Sequence, residues 1–189
     1  MYFNNEYVFK GKHAKYVMEL KDVLFDRNVD VLLLAPILGL AYNRKSNVDN
    51  SSPEKTKIFS DVMIKEQSKN LFNFRLCALT SEVFTEDEKK DLAFKYYTGD
   101  DEDHKELFDR GVNLYNQYVL GGVEILYENM LQGNKLYNGK PDDVKFLNDM
   151  VKNIVEFVDS YKEISSSIDD LSDDLLKDIS KDLLDLDFK

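Results

Sequence analysis

The feature that most restricts the fold is a long segment in the middle of the chain in which apolar residues recur every three or four positions. The repeat continues for more than six turns and stops at Gly133, so it predicts one long amphipathic helix at the centre of the structure. Its apolar positions are Leu107, Phe108, Val112, Tyr115, Val119, Gly122, Val123, Leu126 and Met130.

Three glycines lie within this predicted central helix, namely Gly111, Gly121 and Gly122. Each glycine costs a helix interior roughly 1 kcal/mol relative to alanine. A second helix whose backbone approaches closely would explain them, and a kink at the adjacent pair is the alternative. We interpret Gly121 and Gly122 as positions of close structural packing.

The segments before this helix predict further helices and one short strand. The aromatic opening Tyr2–Phe9 suits a strand or an extended arm. Helical spacing over Lys12–Phe25 and over Val29–Tyr42 predicts two helices, the second of them buried. The polar segment Asn43–Pro53 predicts a flexible surface loop. Residues 58–64 fit either a helix or a strand.

A capping box marks the start of another helix. Thr85-Glu86-Asp87-Glu88 places a hydroxyl and a carboxylate where each can bind a free backbone N–H at a helix start. It predicts a helix over Glu86–Tyr97. Near the end of the chain, Pro141 suits the first turn of a helix.

The last segment predicts a narrow acidic amphipathic helix. Its apolar residues recur at three- and four-residue steps, and aspartates occupy much of the rest, which suits packing on its own domain or on a partner. The residues that we expect to bind a partner are Leu171, Leu175, Ile179, Asp174 and Asp178.

These patterns together predict a mainly α-helical protein. A hydrophobic fraction of 43% with 12 Phe and 11 Tyr is sufficient for a packed core. We expect one helical domain over residues 1–164, with a short N-terminal strand, followed by the acidic amphipathic helix over residues 165–189.

The charge is distributed unevenly along the chain. The net charge is −11, yet residues 1–75 hold 12 Lys+Arg and 9 Asp+Glu, whereas residues 76–189 hold 13 and 27. The net negative charge therefore argues against a protein whose whole surface binds nucleic acid or anionic membrane. The first half of the chain, which is net positive, could still contact a phosphate backbone. The alternative is that these basic residues are scattered over the surface and are only solvated, without binding a phosphate backbone. The candidate DNA contacts are Lys10, Lys12, Lys15, Arg27, Arg44 and Lys45.

The sequence offers little to a catalytic site. One Cys and two His exclude an internal disulfide and most zinc or triad chemistry. Cys77 lies in an apolar stretch and is interpreted as a buried structural thiol. The run Asp100–His104 could hold a hard cation, but it lacks the spacing of a calcium loop and suits the start of a helix. We expect no metal and no cofactor.

Two stretches resemble the small family of Dnd-system-associated proteins. One is Phe25–Leu40 followed by Asn43-Arg44-Lys45, and the other is Tyr118–Leu126, so the resemblance spans about residues 20–132. Pro36 stands where the family pattern has an alanine-like residue. Members are bacterial and are encoded beside genes for DNA phosphorothioate modification and phage defence. The resemblance implies a role in such a system and carries over no catalytic residue.

We therefore expect a non-enzymatic accessory protein of a bacterial anti-phage defence or DNA-modification system. Its expected partners are another protein of that system and, through the basic first half, DNA, while self-association is left open. The start of the chain lacks a basic signal region and no apolar run is long enough to span a membrane, so a cytoplasmic location without membrane contact is expected. The alternatives are an acidic inhibitor that mimics DNA and a metal-dependent hydrolase.

Overall fold

The computed structural model describes residues 2–132 and, beyond them, residues 151, 152, 155, 156 and 159. The chain divides into two compact units, Met1–Gly133 and Asn134–Lys189. In the second unit the described residues are helical, and Lys152 lies 3.8 Å from Glu156 one turn later. The domain boundary predicted after residue 164 and the acidic helix predicted over residues 165–189 lie outside the described residues, as do its five candidate partner-binding residues.

The first unit is mainly helical, which confirms the predicted fold class. No helix within the described ranges is both long enough and apolar enough to cross a lipid bilayer. Short turns of 3₁₀-helix at Tyr2–Asn4 and of π-helix at Asp91–Lys95 and Glu128–Gln132 supplement the main elements. The main elements are β1 Tyr7–Lys10, α1 Gly11–Val23, α2 Asn28–Ala41, β2 Lys55–Ile58, α3 Ser60–Lys65, α4 Gln67–Thr80, α5 Glu86–Lys90 and α6 Lys105–Tyr127.

The central packing contact joins α2 to α6, and glycine residues on both helices allow their backbones to approach closely. A Cβ atom added at Gly122 would overlap the carbonyl oxygen of Ala35, and one added at Gly39 would overlap that of Tyr118. The two backbones therefore touch with no side chain between them. One residue earlier on α6, Gly121 leaves room for the carbonyl group of Arg44, in the turn that follows α2.

The N-terminal strand is confirmed over the narrower range of β1. It pairs antiparallel with β2, with Tyr7 opposite Ile58 and Lys10 opposite Lys55. The sequence did not decide between a helix and a strand for residues 58–64. Both are present, because Ile58 is the last residue of β2 and α3 begins at Ser60.

An aromatic cluster fills the core beside α6. Phe3, from the 3₁₀ turn, packs edge-on against Phe74 and Tyr115, with ring centroids 5.6 and 5.7 Å apart. The Tyr115 hydroxyl donates to Asn70 Oδ1 at 3.3 Å, which satisfies a polar group in a fully buried position. The first residues of the chain are thereby part of the core.

The capping box is confirmed at the start of α5. Thr85 Oγ1 accepts from the backbone N–H of Glu88 at 3.3 Å, and Glu88 Oε2 accepts from the backbone N–H of Thr85 at 2.9 Å. The helix predicted to reach Tyr97 is shorter as an α-helix: after Lys90 it continues as the π-helical turn, in which Tyr96 N–H donates to the carbonyl of Asp91 at 2.8 Å.

The contact between α2 and α6 predicts different tolerances at two glycines of one helix. Gly122→Ala should cost about 3 kcal/mol of unfolding free energy, because its methyl group would meet backbone that cannot move without separating the helices. In Gly111→Ala the methyl group would lie 2.9 Å from Leu92 Cδ2, a side-chain end that can rotate away. This control should change stability by less than about 1 kcal/mol, since it also gains helix propensity. Urea denaturation followed by circular dichroism measures both, and equal losses would contradict the prediction.

Candidate functional site

Glu124 is a charged residue in the buried part of α6, where it is 5% exposed. A buried carboxylate is stable only when it is paired and hydrogen-bonded. Its Oε1 lies 2.8 Å from Lys12 Nζ, 3.0 Å from His13 Nε2 and 2.6 Å from Ser46 Oγ, and its Oε2 lies 3.0 Å from Arg44 Nη2. Because a carboxylate only accepts, His13 donates from Nε2. These five residues are called the Glu124 cluster below.

The Glu124 cluster keeps its carboxylate charged. Burial alone would raise the pKa of Glu124, but the hydrogen bonds from Lys12, Ser46 and His13 outweigh it and lower that pKa to about 2. Burial also lowers the pKa of His13, against the opposing effect of Glu124. The imidazole is therefore neutral at pH 7, and the cations that face the carboxylate are Lys12 and Arg44.

The loop after α2 supplies two members of the cluster and a cap for α1. Lys10, at the N-cap position of α1, makes no side-chain cap. Asp49 serves instead: its Oδ2 accepts from the backbone N–H of Lys12 at 2.6 Å, which satisfies a free donor at the helix start. The hydrogen bond from Lys12 and those from Ser51 lower the pKa of Asp49 to about 2. The segment that the sequence predicts to be flexible is thus attached to α1 through Asp49 and to α6 through Ser46.

A groove lies between α2 and α4, which run in the same direction. Arg27, just before α2, contacts Glu66, just before α4, at 3.2 Å. Further along, Asn73 Nδ2 donates to the carbonyl of Leu33 at 2.8 Å. This hydrogen bond ties the side chain of Asn73 on α4 to the backbone of α2, three residues before Pro36.

The first half of this groove is apolar and open to solvent. Its cavity measures about 510 Å³, and its large exposed side chains are Leu34 at 37%, Ile37 at 40% and Phe72 at 62%. The sequence predicts α2 to be buried, and this prediction is wrong for the face that carries Leu34 and Ile37. One face of α2 packs on α6, and its opposite side stays apolar without being covered. A second cavity lies further along the same two helices, where Leu40 and Ala41 of α2 and Leu76 and Thr80 of α4 line it together with Lys45 and Glu82. The name α2–α4 groove is used below for these two successive cavities.

Charged residues lie at both ends of the α2–α4 groove. Asp30 and Lys69 line the first end, and Lys45 and Glu82 line the second. The Lys45 ammonium lies over the ring of Tyr118, 5.0 Å from its centroid. Lys45 directly follows Arg44, so the Glu124 cluster fixes the backbone that carries this charge.

The six candidate DNA contacts do not gather in one place. Lys12 and Arg44 meet at Glu124, and Arg44 also makes two hydrogen bonds to Glu128, at 2.6 and 2.7 Å. Arg27 lies at the opposite end of α2, where it pairs with Asp30 at 2.6 Å and with Glu66. These three cations are thus occupied by carboxylates of the chain itself.

The other three candidate DNA contacts are exposed and make weaker ion pairs or none that the structure records. Lys15 lies 3.8 Å from Glu19, and Lys10 stands opposite Lys55 in the two-stranded sheet. Lys45 lies at the end of the α2–α4 groove. Contact with DNA stays a prediction.

The acidic run before α6 has a structural use. Asp101 Oδ1 accepts from the backbone N–H of His104 at 3.1 Å and lies 3.0 Å from its Nδ1, while the His104 ring stacks on Tyr96. Among the described residues, no group of three or more His, Cys, Asp or Glu is arranged to hold a metal ion. Cys77 is buried, and burial raises its pKa to about 12.

Glu124, Ser46 and Asp49 are not among the residues that the sequence predicts to be functional. Glu124 did carry a signal, because it is a lone charge between Val123 and Ile125 in the most apolar part of the central helix, and such a charge needs buried partners. Ser46 and Asp49 gave no such signal, since they belong to a polar loop whose composition does not distinguish it from other polar loops.

No protein-family model matches the chain, and no curated protein or solved structure matches it either. Any function proposed for this chain is therefore supported by the geometry of its own residues and by the resemblance between short sequence stretches.

The pKa of Glu124 predicts how the stability of the fold depends on pH. Because folding lowers this pKa, the charged carboxylate stabilises the fold fully above pH about 4.5, and this contribution is lost as the pH falls towards 2. Glu124→Gln should lower the unfolding free energy at pH 7 by about 2 kcal/mol and make stability less dependent on pH in that window. Urea denaturation at several pH values measures both effects.

Glu128→Gln is the matched control for this prediction. Glu128 also binds Arg44, but its side chain is 39% exposed, so the substitution should cost less than about 1 kcal/mol. If Glu124→Gln matched the wild-type chain in midpoint and in acid dependence, the Glu124 cluster would make no net contribution to stability.

Proposed function

We propose that this chain is a non-enzymatic interaction protein that binds another protein chain through the α2–α4 groove. The observation that carries the proposal is the composition of α2, in which Asp30 is the single charged residue. A helix that is apolar on all sides is normally covered on all sides. Here Leu34 and Ile37 of α2, with Phe72 of α4, are left in contact with solvent.

The chemistry of the Glu124 cluster supports a role without catalysis. The carboxylate is already bound by four side-chain groups, and His13 is fully buried. The Ser46 hydroxyl donates to Glu124, but a carboxylate with a pKa of about 2 is a poor base for activating a serine nucleophile. The cluster therefore suits the positioning of α1, α6 and the loop after α2.

The resemblance to Dnd-system-associated proteins supplies the proposed setting. In this proposed setting the chain is an accessory protein of a bacterial anti-phage defence or DNA-modification system and works in the cytoplasm. A protein encoded nearby is an expected partner. Contact with DNA would draw on Lys10, Lys15 and Lys45, because the other candidate cations are held in tighter ion pairs.

Substitution in the groove tests the proposal, because a charge there should abolish binding. Phe72→Asp places a carboxylate among Leu34 and Ile37, where a bound partner would have to desolvate it. The tagged chain is produced together with an untagged second copy and the proteins encoded beside it, and recovery of each by affinity purification is measured. We expect Phe72→Asp to lower recovery of the protein chain that binds in the groove, whether a neighbour-encoded protein or an untagged second copy, at least about ten-fold, a loss of about 1.4 kcal/mol in binding.

Phe94→Asp is the matched control for the groove substitution. Phe94 is 63% exposed, against 62% for Phe72, and it does not line the groove. It should leave recovery unchanged, and thermal unfolding should show that both variants are folded. Equal recovery with both variants would refute binding through the groove.

A further inference from the structure

The geometry points to a second copy of this chain as the protein that occupies the α2–α4 groove. This inference rests on the proposed function, because it names the partner of the same groove. It follows from the arrangement of the charges around the groove and from the apolar residues between them.

The four charges at the ends of the groove alternate in sign. On the α2 side, Asp30 is at the first end and Lys45 at the second; on the α4 side, Lys69 is at the first end and Glu82 at the second. Going around the groove, each charge therefore has neighbours of the opposite sign.

This alternation makes the groove complementary to itself under two-fold symmetry. Two-fold dimers present the same patch on both copies. If the axis runs along the groove, Asp30 faces Lys69 of the second copy and Lys45 faces Glu82 of the second copy. If the axis runs across the groove, Asp30 faces Lys45 and Lys69 faces Glu82. Either axis brings opposite charges together, whereas an unrelated partner would need a matching pattern of its own.

The charge balance of the groove itself permits a second copy despite the acidity of the chain. The whole chain carries −11, so two copies repel each other at long range, and a stable contact needs a surface without net charge. The first end is neutral, because Arg27 and Lys69 are balanced by Asp30 and Glu66. The second end is neutral as well, since its lining includes one cation, Lys45, and one carboxylate, Glu82.

The centre of the groove has the composition of a homodimer contact. The cores of homodimer interfaces are more apolar than other surfaces and are depleted in charge. Leu34, Ile37 and Phe72 lie between the two charged ends. A two-fold axis through this region brings both copies of each of these side chains into the interface. Phe72 is the natural anchor, since aromatic residues contribute most often at interface centres.

Sedimentation velocity and light scattering on the purified chain test the inference. We expect a dimer with twice the mass of 22.0 kDa at about 50 μM, well above a micromolar Kd. Phe72→Asp should be monomeric, and the control Phe94→Asp should remain dimeric. A wild-type chain that is monomeric at this concentration, or a dimer that Phe72→Asp leaves intact, would overturn the inference.

Charge reversal distinguishes the two symmetry axes. Lys45→Glu and Glu82→Lys should each raise the dimer Kd about ten-fold, because each places like charges opposite one another. With the axis along the groove, combining the two substitutions restores the wild-type Kd. With the axis across the groove, that combination weakens the dimer further, and Asp30→Lys combined with Lys45→Glu restores it instead. If neither single reversal changes the Kd, the assignment to this groove is wrong.

The outcomes also separate this inference from the proposed function. A monomeric wild-type chain that loses a neighbour-encoded partner on Phe72→Asp would retain the groove as a binding surface and exclude the second copy. If Phe72→Asp affects neither association, both the proposed function and the inference fail.

Discussion

The structure depends on the contact between the backbones of α2 and α6. Gly39 and Gly122 allow carbonyl groups of the opposite helix to occupy the space of a side chain, so the crossing of the two helices is set by backbone atoms, which cannot change rotamer. The same contact directs the chain beyond α2, because the carbonyl of Arg44 lies against Gly121. Closely packed interiors transmit such constraints, since they have little free volume.

The Glu124 cluster extends this constraint from the core to the surface. Glu124 lies two residues after Gly122 on α6, and its carboxylate binds side chains from α1 and from the loop after α2. Replacing a buried charge pair by apolar residues is often neutral for stability, so the more specific effect of this cluster is to fix the direction of the loop. Lys45, adjacent to Arg44, is in this way held at the end of the α2–α4 groove.

The predictable and unpredictable parts of this structure differ in the range of the interactions that form them. Local patterns involve residues only a few positions apart, and they placed the helices correctly. These patterns are the periodic spacing over Lys12–Phe25, over Val29–Tyr42 and along the central helix, together with the capping box at Thr85. The pairing of β1 with β2 joins residues about fifty positions apart, and only the first of the two strands had a clear pattern. Glu124 takes its partners from residues 78 to 112 positions away, which no local pattern encodes. The uncovered face of α2 was missed for the same reason, because an apolar sequence does not state how many of its faces the fold covers.

The uncovered face of α2 links the packing of the fold to the proposed function. Contact with α6 requires one buried side of α2, on which Ala35 lies against Gly122 and Val31, Leu32 and Leu38 are also buried. Leu34 and Ile37 belong to a side that is exposed. Polar residues there would leave the buried side of the helix unchanged, so the proposed partner contact is what would account for these apolar side chains. The pKa of Glu124, lowered to about 2, keeps its carboxylate charged above pH about 4.5, so its ion pair with Arg44, the residue before Lys45, is present at neutral pH. Lys45 is thus held in place before any partner arrives, and a surface with pre-positioned charges loses less conformational entropy when it binds.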